Sequence, residues 1–141
     1  MANAPLISTI IAIALIPVSF LITHAYLGGR KGWRFHKPVG ILAICWDLSV
    51  SIGYMVMRAL GAQVEGSTLV IKGAILVYFI IHGTIAVIVI SLEFGVLSTG
   101  LLQWRAGKKI IWHRKLANVL FFLWWFAFLS GELFYLYAYV I

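Results

Sequence analysis

The sequence predicts an all-α fold: a four-transmembrane-helix antiparallel bundle with both termini on the non-cytoplasmic side. Three observations carry this. Of 141 residues, 63% are hydrophobic and only 11% charged, a balance foreign to a soluble domain of this size. Four apolar stretches, at about 6–27, 38–60, 69–99 and 112–140, are long enough to cross a bilayer, which takes about 20 helical residues. Nine of the eleven basic residues fall between spans one and two or around the start of span four. The positive-inside rule makes that side cytoplasmic.

Each span follows from its own residues. Span one is rich in Leu and Ile and carries Pro17 near its middle, where a kink is expected. Gly28-Gly29 is expected to stop it. Met1–Pro5 carries no basic residue, so span one reads as a retained helix rather than a cleaved signal. Pro38 suits the first turn of span two. Residues Gly61-Ala62-Gln63-Val64-Glu65-Gly66-Ser67 are expected to form a short outer connection, flanked by Arg58 and Lys72. Span three starts at Leu69 and is long enough to tilt or to extend past the lipid. Span four is dense in aromatic residues. Trp33, Trp104 and Trp112 mark the cytoplasmic boundary, and Tyr135, Tyr137 and Tyr139 the outer one. Together the spans make residues 1–141 a single integral membrane domain with no room for a soluble one.

Composition also excludes classes of function. The net charge of +7 suits topology and anionic lipid rather than nucleic acid, because the basic residues flank the spans. Cys45 is the only cysteine, so no intrachain disulfide can form. The expected surroundings are the lipid of a cell (inner) membrane and other membrane subunits.

The polar residues inside the spans carry the functional signal. Three of the four acids, Asp47, Glu93 and Glu132, fall within spans. An acid at helix centre costs about 3 kcal/mol on insertion scales, so these groups should face the bundle interior and find partners. The helical rise sets Asp47 roughly 14 Å and Glu93 roughly 10 Å from the inner face, where His24 could join them. His82 lies deeper in span three, with apolar sequence on both sides. His82, Ala86, Val89 and Glu93 share one helical stripe. His36 and His113 each stand beside basic residues at the start of a helix. That repeated pattern hints at two duplicated helical hairpins.

Three chemistries fit these residues. The first is haem b, with His82 as leading axial ligand, His24, His36 and His113 as further ligands, and basic residues holding propionates. The second is copper or another metal on imidazole and carboxylate, with His82 and His24 foremost. The third is a proton path through Asp47, Glu93, His82 and Glu132. A non-catalytic accessory role in a larger membrane complex stands beside them, with the aromatic face of span four against a partner.

One family shares several of these residues. The second half carries Tyr78-Phe79-Ile80-Ile81-His82, Trp112-His113-Arg114-Lys115-Leu116-Ala117, then Ser130-Gly131 and Tyr135. The first half adds His36-Lys37, Ser51 and Tyr54. With these residues the chain resembles the YozB-like family of small four-helix membrane proteins linked to cytochrome oxidase maturation. It is also broadly similar to small b-type cytochromes. The resemblance implies a membrane redox role, in electron transfer or in assembly of a respiratory oxidase. The chain departs from the family at the outer end of span two. A further histidine is usual there, and Tyr54-Met55-Val56-Met57-Arg58 stands instead. That departure makes a His82–Met pair, with Met55 or Met57, the alternative haem ligation.

Overall fold

The computed structural model describes residues 4–60 and 70–141. The expected outer connection at 61–67 and the expected start of span three at Leu69 lie outside the described residues. Four helices form: α1 (Leu6–Lys31), α2 (His36–Ala59), α3 (Ala74–Ala106) and α4 (Ile111–Tyr135), the last widening into a π-helical turn over Leu136–Val140. All four are long and apolar enough to cross a membrane, so the chain reads as an integral membrane four-helix bundle.

The ends of the helices depart from expectation for local reasons. Gly28-Gly29 does not stop α1, which runs on to Lys31. The stop is Gly32, at φ 69°, where only glycine is free of a Cβ clash. The Trp33 amide then closes onto the Gly28 carbonyl at 2.9 Å. Gly28 and Gly29 serve close packing instead. A Cβ on Gly29 would meet the His36 ring at 2.7 Å. At the other end of the bundle α3 begins only at Ala74, after Gly73 at φ 55°. It then continues through 33 residues, about 50 Å at the α-helical rise and well over the roughly 30 Å of hydrocarbon. Pro38 lies in the first turn of α2, as expected.

Helix α1 packs on α2 and α4, and α3 packs on α4 and α2. Thr9 meets Tyr135 (2.7 Å), Tyr26 stacks on Phe121 (4.0 Å), and Arg30 donates to Asn118 (3.3 Å). Along the other seam Tyr78 donates to the Ser130 carbonyl (2.9 Å), and the Ile110 amide donates to the Gln103 side chain (2.9 Å). Helices α2 and α4 stand across the bundle, without backbone contact among the described residues.

Packing is inverted relative to a water-soluble protein. Large apolar residues such as Phe20, Phe122 and Leu133 point outward, each more than 60% exposed, whereas Asp47 and Glu93 are buried. A lipid solvent favours that arrangement. Hydroxyl groups that face out close onto carbonyls of their own helix, as Thr84 does onto Ile80 (2.8 Å) and Ser91 onto Val87 (2.9 Å). Each thereby satisfies its donor without water. Lys31, Lys37 and Lys115 lie over Trp33, Trp104 and Trp112 at 5.0–5.3 Å. These pairs form the aromatic and basic belt that the sequence predicts for one end.

Gly53 sits inside α2 with open space where a Cβ would be. Gly53→Ala is expected to raise stability by about 0.5–1 kcal/mol, the cost of glycine within a helix, as read by unfolding in detergent.

Candidate functional site

At the basic end the four helices enclose a cavity of about 320 Å³, within the range of small-molecule and cofactor pockets. Ile22, Ile44, Val96 and Leu120 give it one apolar wall from each helix, while Gly40 and Gly100 keep it wide. Lys37, Lys108 and Lys109 line its mouth. His36 and His113 reach into it from opposite helices, their ring centres 6.4 Å apart and their planes 70° to one another.

Both rings are held in the same way. His36, the first residue of α2, places Nδ1 2.7 Å from the Ala25 carbonyl on α1. His113, in the first turn of α4, places Nδ1 3.2 Å from the Val96 carbonyl on α3, with the Thr99 hydroxyl at 3.1 Å. A carbonyl only accepts, so each Nδ1 donates, and in a neutral ring Nε2 keeps its lone pair. Metal-ligating histidines are oriented by this kind of contact. Each ring also rests on a glycine of the preceding helix. A Cβ on Gly29 would stand 2.7 Å from the His36 ring, and one on Gly100 would stand 3.0 Å from the His113 ring. The two hairpins thus repeat one device: a glycine and a carbonyl on the first helix, a histidine at the start of the second.

Two imidazoles that shared one iron at about 2 Å per bond would have ring centres about 6 Å apart, close to the spacing of this pair. Among the described residues no group of three or more His, Cys, Asp or Glu side chains could hold a metal ion. A bare copper ion draws most of its ligands from the protein, whereas a macrocycle brings its own equatorial nitrogens and needs only axial ligands.

The other candidates separate. His82 is half-buried at the far end of the α3–α4 seam. Its Nδ1 donates to the Ser130 hydroxyl (3.1 Å), which itself donates to the Ala127 carbonyl (3.0 Å). Tyr78 stacks on both His82 and Phe134. His24 packs on Trp33 at 5.0 Å, and its Nδ1 is buried without a partner. It therefore joins neither the acids nor the other histidines. Met55 and Met57 are exposed on α2, so neither is turned inward to complete a pair with His82.

Two of the three acids meet. Asp47 takes the Ser51 hydroxyl at 3.4 Å, and its carboxyl faces both Trp124 and Glu93. Glu93 is fully buried. It lies against Asp47, yet neither of its oxygens completes a hydrogen bond of good geometry. Glu132 stands apart and only half-buried on α4. The shared stripe of α3 is confirmed as inward, because Val89 and Glu93 are both buried. His82 and Glu93 nevertheless act at different depths, since eleven residues of helix separate them by about 16 Å.

From the sequence His82 is the leading ligand, with His36 and His113 among the further ones. The signal for that pair was the repeated basic-histidine start of α2 and α4. Its meaning depends on those two helices lying across one cavity. Comparison of the chain with protein-family models, curated proteins and solved structures finds no match.

Proposed function

We propose that this chain is a membrane haem protein serving electron transfer or respiratory oxidase assembly, with His36 and His113 as its axial ligands. The observation that carries the reading is the imidazole pair 6.4 Å apart over an apolar cavity, each ring fixed through Nδ1. Bound there, haem supplies one-electron chemistry. The chain's own part is to orient both imidazoles, to exclude water with the apolar walls, and to hold propionates with Lys37, Lys108 and Lys109. His82 moves from leading ligand to a structural contact with Ser130.

We further propose that the bundle is antiparallel and lies in the inner membrane. The positive-inside rule sets the cavity mouth on the cytoplasmic side and the termini outside. The resemblance to the YozB-like family supports a place near oxidase maturation.

The test is the visible spectrum of the purified protein. A Soret band with the shape of six-coordinate, bis-imidazole iron is expected. A colourless protein, free of iron after expression with haem supplied, would sink the haem reading. The accessory-subunit reading would then lead, on the exposed stripe Phe122, Phe126, Leu129 and Leu133.

A further inference from the structure

Beneath the cavity lies a second group that the haem reading does not use. Asp47 is 3% exposed and Glu93 0%. Both Glu93 oxygens lack a completed hydrogen bond. Among the described residues no lysine, arginine or histidine forms an ion pair with either acid. The groups facing them are few. Helix α2 contributes Ser51 and α4 contributes Trp124, neither of which carries charge. The titratable side chains of this part of α1 are turned elsewhere, His24 to Trp33 and Tyr26 to Phe121. Two carboxylates in contact in a low-dielectric interior repel strongly. With no cation beside them, protons are what can relieve that repulsion.

Access to the pair is unequal. Ile44, Val96 and Leu120 line the cavity, and they precede or follow Asp47, Glu93 and Trp124 by only three or four residues. That is about 5 Å along the helices, a single layer of side chains. In the other direction Leu48 and Val89 are buried, and the next polar group on the α3 stripe, His82, lies about 16 Å away. On that side Ser51 donates to Asp47, and among the described residues no hydrogen bond joins either acid to His82 or Glu132.

We propose that Asp47 and Glu93 form a proton-exchanging pair reached from the cavity side alone. A proton from water at the basic end adds to a carboxylate oxygen, and it leaves by the same route. Only an O–H bond forms and breaks. Such a site balances charge entering the cavity without leaking protons across the bilayer. The competing role is a static latch, in which the acids simply tie α2 to α3 and α4.

Infrared spectroscopy of the full chain in liposomes tests this independently of any cofactor. Stepping the pH is expected to change a carboxylic C=O band, and transfer to D2O to shift it. Glu93→Gln and Asp47→Asn should each remove the titrating band while circular dichroism stays unchanged. Glu132→Gln should leave it. Proton flux across the vesicles should not exceed that of protein-free liposomes. A band that neither titrates nor exchanges, or that survives both substitutions, would overturn the proposal in favour of the latch. Proton flux abolished by Glu93→Gln would overturn its one-sidedness. If Glu93→Gln fails to fold, Asp47→Asn and the exchange measurement still decide.

Discussion

Replacing His36 or His113 with alanine is expected to abolish the proposed haem binding, whereas His82→Ala should retain it. Losing the hydrogen-bonded partner of a ligating histidine typically costs about 10–100-fold in metal affinity, and losing the ligand itself costs more. The double substitution should therefore yield protein with almost no Soret absorbance. Each single variant should give a five-coordinate spectrum and a haem-to-protein ratio well below the parent's. His82 makes its contacts with Ser130 and Tyr78, remote from the cavity. Its substitution should lower stability by about 1–3 kcal/mol, the cost of orphaned polar partners and lost packing, while the spectrum keeps its shape. The measurement is the haem-to-protein ratio and absorption spectrum of each variant, with circular dichroism as the control for folding. The opposite ranking, with His82→Ala colourless and His36→Ala unchanged, would move the site to the far end of the α3–α4 seam.

Gly29→Ala should separate function from stability. Alanine inside a helix is better than glycine by about 0.5–1 kcal/mol, so the helix itself gains. The new methyl group, however, would stand 2.7 Å from Cε1 of His36, closer than real side chains approach. The ring has little freedom to yield, because its Nδ1 is bound 2.7 Å from the Ala25 carbonyl. Pushing it aside breaks that bond and shifts the imidazole within the cavity. The expected result is a haem affinity lower by about 10–100-fold, the scale of losing an orienting contact, in a protein that unfolds no more easily. Gly100→Ala should behave likewise but more mildly, since its methyl group would stand 3.0 Å from the His113 ring. Gly53→Ala, in open space, is the matched control with no effect on haem. Equal haem retention in all three variants would show that neither glycine positions a ligand.

Residues near the helix ends show how far local reading reaches. The apolar runs predict all four helices, because the transfer of each side chain into lipid adds along the chain whatever its neighbours do. Helix α1 runs four residues past the expected end at Leu27, to Lys31, for a reason that is not local. Gly28-Gly29 has the composition of a helix terminus, but the approach of His36 and Trp33 gives both glycines a packing role. Gly32 then takes the left-handed turn. Asp47 and Glu93 were readable as inward-facing and of similar depth, and they do meet. The same reasoning brought His24 to them, but depth fixes only one coordinate. The rotation of α1 turns His24 to Trp33 instead.

The sequence by itself determined the class of protein, the four spans, the basic end and the inward stripe of α3. All of these follow from hydropathy, charge and helical period. Only the tertiary structure decided which histidines line one cavity. His36 and His113 are 77 residues apart and sit on helices whose backbones do not touch. Their meeting requires α2 and α4 to face one another across the bundle with their first turns at the same level. Side-chain packing among α1–α4 fixes that arrangement, and no local property of either histidine encodes it.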